Sequence, residues 1–363
     1  MRVGLVAFSN IKYSPYINAY TKIFDKHPQI EYEIIFLNRY GNLNEVDQKG
    51  AIPIKWFGKN ANAANKVIKL MNFFWFATQC KQIIKRKNYD FIICLTTVPA
   101  VLLSGFLVKH YKGRYIVDIR DYTHENNKIF WRKECDVIRY SACNVISSPG
   151  FTNFLPENEY ILMHNYNGEC KDESNKSGYA FEKKTELPLR ISYIGSVSYE
   201  AQCKKIIDLV IKDERFEMYF WGNESSNTNT SRYIRQLANS RVVFNGPFEP
   251  SEKKEIYRAS DLVFNCYGNS TPLVKYAISN KYYDGAFYKK PLLVSPHTAM
   301  EDVSKGYAFA LDLSSAQDLN ELFHWYNSIN AQSYSLYGQE VIEKTIGENK
   351  IAEEKILSAI LAQ

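Results

Sequence analysis

The sequence predicts an α/β protein made of two tandem domains, each built on a parallel sheet. Three observations predict this class: a length of 363 residues, strand and helix signals that alternate along the chain, and a polar stretch midway after which the alternation starts again. A chain of this length exceeds one typical hydrophobic core. Strands separated by helices form βαβ units, in which successive strands lie parallel.

The first domain is predicted over residues 1–168. Its strands are expected at Arg2 to Ser9, Tyr32 to Leu37, Phe91 to Thr96, Arg114 to Asp118, Cys143 to Ser147 and Tyr160 to Met163. Its helices are expected at Tyr16 to Lys26, Lys66 to Lys87 and Ala100 to Tyr111. Each apolar run ends at a turn signal, which is typical of strands in a buried sheet.

A polar, charged run predicts a linker over residues 169–188, and the second domain is predicted over residues 189–345. Its strands are expected at Leu189 to Ile194, Phe216 to Trp221, Val242 to Phe244, Leu262 to Asn265, Pro291 to Ser295 and Ala308 to Leu311. Its helices are expected at Gln202 to Lys212, Lys253 to Ala259 and Ala316 to Ile329. A final helix near Ala352 to Leu361, within residues 346–363, is expected to pack back on the first domain.

Composition excludes several classes of protein. An apolar share of 45% and a charged share of 23% are those of a globular chain. Seven scattered cysteines without a CxxC pair favour a reducing cytoplasm over a disulfide framework. The start of the chain lacks the apolar region of a signal peptide, and no run is long enough to span a membrane.

Positive charge is concentrated in one part of the chain. The net charge is +6, yet the segment from Lys49 to Arg114 holds twelve Lys and Arg residues against the single acid Asp90. Such a block favours an anionic partner. Nucleic acid is not expected, because no recognised binding module accompanies the charge.

The helix from Lys66 to Lys87 carries apolar side chains on more than one side. This pattern, flanked by lysines, predicts an interfacial helix that contacts an anionic membrane surface. An alternative is a helix buried on two sides within the first domain. The residues assigned to this contact are Lys66, Lys69, Phe73, Phe74, Trp75, Lys85 and Arg86.

Ligands of open parallel sheets bind at the carboxyl ends of the strands. In the second domain those ends carry Gly195, Ser196 and Asn223, and in the first domain they carry Ser9 and Asn10. A glycine after a strand lets backbone N–H groups approach an anion, although a tight turn uses the same residue.

The segment VDIRDYTHE places Arg120, Asp121 and His124 after a strand of the first domain. We expect Asp121 or His124 to orient or deprotonate an acceptor hydroxyl. The alternative is that Asp118 or Asp121 caps the following helix.

The segment SNKYYDGAFYKKPLLVS begins a helix with Asn280 and Lys281 and places Asp284 one turn later. A cation and a carboxylate at a helix N-terminus suit a ligand with a phosphate and vicinal hydroxyls, as in a sugar nucleotide. The alternative is an ordinary surface helix with an i,i+3 ion pair. Lys275 and Lys204 are further candidates for phosphate binding.

Five blocks in series carry a resemblance to a known family: ISYIGSVSY, YFWGNE, VVFNGPF, YRASDLVFN and SNKYYDGAFYKKPLLVS. With them, residues 189–296 resemble the donor half of a GT-B glycosyltransferase, most like glycosyltransferase family four. The resemblance implies two Rossmann-like domains that face a cleft, with a nucleoside-diphosphate sugar held between the Gly195 loop and the helix after Asn280. It also implies that Asp284 binds the ribose and that transfer retains the anomeric configuration.

This chain departs from the family pattern in two respects. The family's usual Glu is Asp284 here, and the usual Arg and Lys pair after the first donor-domain strand is not evident. The acceptor is expected to be a glycan, lipid-linked or an oligosaccharide, of surface polysaccharide synthesis, reached from the inner face of the membrane.

The sequence contains no motif for metal, P-loop or dinucleotide binding. There is no Asp-x-Asp triplet, and the six histidines lack ligand spacing, so no metal is expected. P-loop and dinucleotide motifs are also missing, so no cofactor is expected beyond the donor co-substrate. Two alternatives stay open: a nucleotide-sugar 2-epimerase of the same fold, and a non-catalytic partner subunit of a transferase.

Overall fold

The structure, a computed structural model, describes residues 1–41, 49–58, 65–166 and 179–362. The chain divides into two compact units. The N-terminal unit comprises residues 1–167 and 347–363, and the C-terminal unit comprises residues 168–346.

The N-terminal unit is built on a parallel sheet with the strand order β3-β2-β1-β4-β5-β6-β7. The strands are β1 (Arg2–Ala7), β2 (Glu31–Asn38), β3 (Ala51–Lys55), β4 (Phe91–Leu95), β5 (Tyr115–Ile119), β6 (Cys143–Ile146) and β7 (Tyr160–Leu162). The helices are α1 (Ile17–Asp25), α2 (Lys66–Lys87), α3 (Thr97–Leu102), α4 (Ser104–His110) and α5 (Lys128–Arg139). The central strands are buried along their whole length, as expected for a sheet covered on both faces.

Sequence reasoning missed β3 and α5 and placed a single helix over Ala100 to Tyr111. The structure instead has two short helices, which meet at Leu103. The first starts at Thr97, since Pro99 stands within its first turn, where a missing N–H costs no hydrogen bond. Strand β3 contains Pro53, a residue that argues against a central strand; it lies at the edge of the sheet, where proline is tolerated.

The C-terminal unit has a second parallel sheet with the order β10-β9-β8-β11-β12-β13. Its strands are β8 (Leu189–Ile194), β9 (Phe216–Trp221), β10 (Val242–Gly246), β11 (Leu262–Asn265), β12 (Leu292–Val294) and β13 (Phe309–Ala310). Its helices are α6 (Glu200–Val210), α7 (Thr230–Leu237), α8 (Lys253–Arg258), α9 (Pro272–Tyr276), α10 (Asn280–Tyr288), α11 (Ala299–Ser304) and α12 (Ala316–Ser328). Phe181, from the described end of the predicted linker, is buried in the core of this unit; residues 169–178 of that linker lie outside the described residues.

The last helix, α13 (Ala331–Leu361), is much longer than the predicted Ala352 to Leu361. The earlier part contains Gly338 and Gly347, but a helix tolerates an interior glycine at a cost of about 1 kcal/mol. Ala352, Ile356 and Ile360 are spaced four residues apart, so they share one face and enter the core of the N-terminal unit with β1 and β4.

We predict that Ile356→Ala lowers the free energy of unfolding by about 2–5 kcal/mol, because the fully buried side chain would leave a cavity. Ile351→Ala is the matched control on the same helix, since Ile351 is 53% exposed, and we expect a change below about 0.5 kcal/mol. Urea unfolding of both variants measures the difference. Equal effects would show that the Ile356 face does not pack in the core.

Candidate functional site

Two glycines bring the ends of β8 and β9 into close backbone contact. Gly195 has φ +118° and Gly222 has φ +135°. A Cβ on Gly222 would lie 1.9 Å from the carbonyl oxygen of Gly195, so the second turn has no room for a side chain. The Gly195 N–H donates to the Trp221 carbonyl at 2.8 Å, which ties the two strand ends together. These glycines therefore serve tight turns, and they keep this edge of the sheet free of side-chain bulk.

Lys281 reaches this edge from the first turn of α10. Its side chain is buried, and its Nζ lies 3.6 Å from the position that a Cβ on Gly195 would occupy. The ammonium group donates to the Tyr267 hydroxyl and lies over the Tyr193 ring at 4.8 Å from the ring centroid. Burial lowers the pKa of Lys281 to about 8. No carboxylate of the described residues forms an ion pair with this cation. It contacts a hydroxyl and two aromatic rings, and the charge of Asp284 opposes part of the effect of burial on its pKa.

Asp284 is held by partners other than Lys281. Its carboxylate accepts from Lys253 Nζ at 2.7 Å and from the Tyr257 hydroxyl at 3.1 Å. The alternative of an ordinary surface helix with a Lys281–Asp284 ion pair is therefore wrong. Residues three apart on a helix are neighbours, but here one side chain turns to the sheet edge and the other to α8.

The N-terminus of α10 is attached to the end of β11. The Ser279 hydroxyl donates to Asn265 Oδ1 at 2.8 Å, and this bond positions the turn that precedes Lys281. Sequence reasoning missed Ser279, Tyr193 and Tyr267 as parts of the site. Tyr267 stands two residues after β11, and that position at a strand end was the available signal.

Four of the other predicted donor-site residues lie at the surface of the C-terminal unit. Ser196, Asn223, Asn280 and Lys275 are exposed. Lys204 forms an i,i+4 ion pair with Glu200, with Nζ and Oε1 2.6 Å apart. The structure thus brings Lys281 and the Gly195 turn together and leaves Lys204 engaged within α6.

In the N-terminal unit Arg120 is buried rather than displayed at the strand end. Its Nε lies 2.6 Å from Asp118 Oδ1, and both side chains are almost fully buried. Its guanidinium also donates to the Met163 carbonyl at 3.0 Å and to Asn165 Oδ1 at 2.9 Å. This buried pair joins β5 to the segment after β7, which is a structural arrangement.

Asp121 and His124 occupy the exposed loop between β5 and α5. The Asp121 carboxyl is accessible to water, yet the surrounding protein removes enough solvent to raise its pKa to about 6. Asn127 caps α5, since its Oδ1 accepts from the N–H groups of Ile129 and Phe130. The alternative that Asp118 or Asp121 caps this helix is therefore wrong.

The first strand end contains Ser9 and Asn10. Ser9 is half-buried, whereas the Asn10 side chain is buried; its Oδ1 accepts from the Arg39 N–H at 2.9 Å and its Nδ2 donates to Asn38 Oδ1 at 3.0 Å. Asn10 therefore fixes the loop that follows β2.

Helix α2 exposes a continuous apolar face. Val67, Leu70, Met71, Phe74 and Trp75 are between 43% and 68% exposed, so the alternative of a helix buried on two sides is wrong. The opposite face, with Phe76, Cys80 and Ile84, enters the core. The remaining predicted contact residues divide in the same way: Lys66, Lys69, Lys85 and Arg86 are exposed, whereas Phe73 turns inward and stacks on Phe8 at 4.9 Å.

Within the described ranges no helix is long and apolar enough to cross a membrane. Groups of three or more His, Cys, Asp or Glu side chains placed to hold a metal ion are likewise missing from the described ranges.

No protein-family model matches the chain, and no curated protein matches it. Solved structures do. Sucrose-phosphate synthase from Thermosynechococcus elongatus aligns with a TM-score of 0.72 at 8% identity, covering 100% of both chains. Anabaena HepE in complex with UDP aligns with a TM-score of 0.68 at 12% identity, covering 99% of this chain and 100% of its own. UDP-GlcNAc 2-epimerase from Neisseria meningitidis aligns with a TM-score of 0.61 at 13% identity over 100% of both.

These likenesses and the two all-parallel sheets confirm the predicted GT-B fold. At such low identity they show the fold alone. The resemblance to family four in particular is not confirmed.

We predict that Gly222→Ala lowers the free energy of unfolding by more than about 2 kcal/mol, because the new methyl group meets the Gly195 carbonyl in a backbone conformation that disfavours L residues. Gly347→Ala is the control: its Cβ would meet nothing within 4 Å on helix α13. There we expect a gain of about 0.5–1 kcal/mol in unfolding experiments. Similar values for both variants would rule out the close contact at Gly195.

Proposed function

We propose that this chain is a glycosyltransferase that moves a sugar from a nucleoside-diphosphate sugar to a lipid-linked glycan acceptor. The observation that carries the proposal is Lys281, a buried cation without an ion-pair partner among the described residues, set against a glycine turn at the carboxyl edge of a parallel sheet. A buried charge of this kind is costly unless an anion compensates it. HepE, which has the same fold, was solved with UDP.

In this proposal Lys281 binds the donor diphosphate, and the Gly195 turn leaves space for it. Ser196, Asn223, Asn280 and Lys275 are accessible for further donor contacts. Asp284 accepts hydrogen bonds from the ribose hydroxyls, because Lys253 and Tyr257 orient its carboxylate and a carboxylate has about four acceptor positions.

In the N-terminal unit, Asp121 and His124 bind and orient the acceptor hydroxyl. The acceptor oxygen forms a bond to the anomeric carbon, the bond from that carbon to the diphosphate breaks, and the hydroxyl proton passes to Asp121. A carboxyl with a pKa of about 6 is largely ionised at neutral pH and so accepts this proton. The positive charge of Lys281 stabilises the leaving diphosphate, which is where negative charge develops. We further propose that the transfer retains configuration, so the acceptor oxygen approaches the anomeric carbon from the same face that the diphosphate leaves.

We propose that the exposed face of α2 brings the enzyme to the inner, anionic face of a membrane, where lipid-linked acceptors reside. The apolar face with Leu70 and Phe74 lies beside the exposed Lys66 and Lys69, so hydrophobic insertion and electrostatic attraction act together.

One second candidate is a nucleotide-sugar 2-epimerase, which the fold of the Neisseria meningitidis enzyme favours. It would bind the same donor and change the sugar without an acceptor. Incubation with UDP-GlcNAc alone separates the two, since only an epimerase inverts the configuration at C2 of the free donor.

We predict micromolar binding of one of UDP, GDP and CMP to the wild type in calorimetry, weakened at least tenfold by Lys281→Met and by Asp284→Ala. The control is Lys254→Met, which removes an exposed lysine next to Lys253 and should keep the wild-type affinity. If none of the three nucleotides binds the folded wild type, the donor site is wrong and a non-catalytic partner subunit becomes the better account.

The same titration at pH 7 and pH 9.5 tests the cation itself. Because the pKa of Lys281 is lowered to about 8, the ammonium is charged at the lower pH and mostly neutral at the higher one. We expect wild-type affinity to fall about tenfold between them. Lys281→Met should bind weakly and equally at both values; an unchanged wild-type affinity would contradict diphosphate binding by Lys281.

We predict that the wild type co-sediments with vesicles of phosphatidylglycerol and phosphatidylcholine, and that Leu70→Ser with Phe74→Ser lowers its partitioning at least tenfold. Full burial of one such apolar side chain contributes about 1.5–3 kcal/mol of transfer free energy, and shallow insertion into the membrane surface gains only part of it. The control is Ile129→Ser, which removes an aliphatic side chain outside α2 that is 71% exposed, more than either Leu70 or Phe74. Equal partitioning of the double variant and the control would exclude α2 as the contact.

A further inference from the structure

Arg39 and Trp56, at the ends of the two outermost strands on one side of the N-terminal sheet, each have a buried N–H group without a hydrogen-bond acceptor among the described residues. Arg39 directly follows β2, and Trp56 directly follows β3, so both stand at the carboxyl ends of neighbouring strands. The guanidinium carbon of Arg39 lies 5.9 Å from the centroid of the Trp56 ring. Arg39 Nε and Trp56 Nε1 are both buried, and neither has a hydrogen-bond partner among the described residues.

Such donors cost free energy. A buried N–H without an acceptor loses about 1–3 kcal/mol relative to a satisfied one, and a charged group loses more. The Arg39 side chain donates one hydrogen bond, from Nη2 to the Phe8 carbonyl at 2.8 Å, and its guanidinium lies 4.9 Å from the centre of the Phe8 ring. No carboxylate of the described ranges pairs with it. Burial lowers the pKa of Arg39, but a guanidinium stays charged in proteins, so this cation has no ion-pair partner within the part of the chain that the structure describes.

The surroundings hold the Arg39 backbone in place. Asn10 Oδ1 accepts from the Arg39 backbone N–H at 2.9 Å, which fixes the loop after β2. Beside it, Tyr13 and Tyr40 are exposed by 55% and 44% and meet edge to face, 5.5 Å between ring centroids. Exposed aromatic rings of this kind have an apolar face and a polar hydroxyl, and both suit the mixed surface of a sugar ring.

We infer that Arg39 and Trp56 form a binding site for an oxyanion of the acceptor, a carboxylate or phosphate group carried on a sugar. The guanidinium offers a fork of donors that matches such a group, and the indole N–H adds one more. The inference rests on the proposed function and makes it more specific: the acceptor glycan is acidic, and this site binds its charged group.

The sheet order also separates this site from the proposed point of transfer. Strands β2 and β5 are separated by β1 and β4, so the strand ends that precede Arg39 and Asp121 lie three strand spacings apart, about 14 Å. At this spacing we expect the charged group to belong to a sugar other than the one whose hydroxyl reacts. The acceptor is accordingly an oligosaccharide chain rather than a monosaccharide.

The Trp56 indole provides a local readout of this binding. In protein labelled with ¹⁵N at tryptophan, the five indole N–H signals are followed by NMR, and Trp56→Phe identifies the signal of interest. Glucuronate, glucose 6-phosphate and glucose are titrated separately. We expect saturable movement of the Trp56 signal with glucuronate, glucose 6-phosphate or both, and none with glucose; the anion that acts distinguishes carboxylate from phosphate.

Arg39→Met keeps the length of the side chain and removes the charge, so the response should weaken at least tenfold. The control Lys12→Met removes the exposed lysine that lies over Tyr13, and it should leave the response within twofold of the wild type. The inference is overturned if neither anion moves the wild-type signal, or if the response persists in Arg39→Met. The wild-type titration decides the first case even where a variant does not fold.

Calorimetry on the same samples separates this inference from the proposed function. Nucleotide binding without any anion response at Trp56 overturns the acceptor site and leaves the donor site standing. An anion response in a protein that binds no nucleotide supports the oxyanion site and overturns the transferase.

Discussion

The parallel pairing of the strands is the constraint on which the rest of the structure depends. In each unit every strand pair is parallel, so every strand of a sheet ends at the same edge. The turns after β8 and β9, the end of β11 and the start of α10 are thereby gathered around Lys281. The same geometry in the N-terminal unit places Asn10, Arg39, Trp56 and the Asp121 loop along one edge. In folds of this kind ligand-binding residues lie at the strand ends, because helices cover both faces of the sheet.

Three cations that the fold shields from water differ in how their charge is compensated: Arg120 and Lys281 are buried, and Arg39 is partly buried. Arg120 is paired with Asp118 and bonded to a carbonyl and an amide oxygen, so its charge is satisfied within the fold. Lys281 has a tyrosine hydroxyl and aromatic faces, and Arg39 has one carbonyl and aromatic faces. Aromatic rings stabilise a cation by about 0.5–2 kcal/mol, less than the removal of its hydration costs. An incoming anion would supply the difference at both positions.

Helix α2 shows the same principle for apolar surface. Its inner face has the partners it needs in Phe8 and the sheet, so packing satisfies Phe73 and Phe76. Its outer face keeps Phe74 and Trp75 in contact with water, and only the Trp75 indole finds a polar partner, the Lys55 carbonyl at 3.1 Å. A contiguous apolar face next to lysines is more than the scattered exposure expected of a soluble surface.

The sequence by itself determined the alternation of strands and helices, the parallel sheets and the positions where ligands are expected. These are local properties: β8, β9 and β11 have the predicted bounds because apolar runs that end at glycine or asparagine read the same in any context. Only the tertiary structure decided which side chains are accessible. Arg120 and Asp121 are adjacent in the chain, yet one is buried in an ion pair and the other reaches solvent. Lys281 and Asp284 share a helix and have different partners, and Arg39 meets Trp56 only because β2 pairs with β3. Burial and pairing between distant segments follow from tertiary packing, and the spacing of residues within one segment does not predict them.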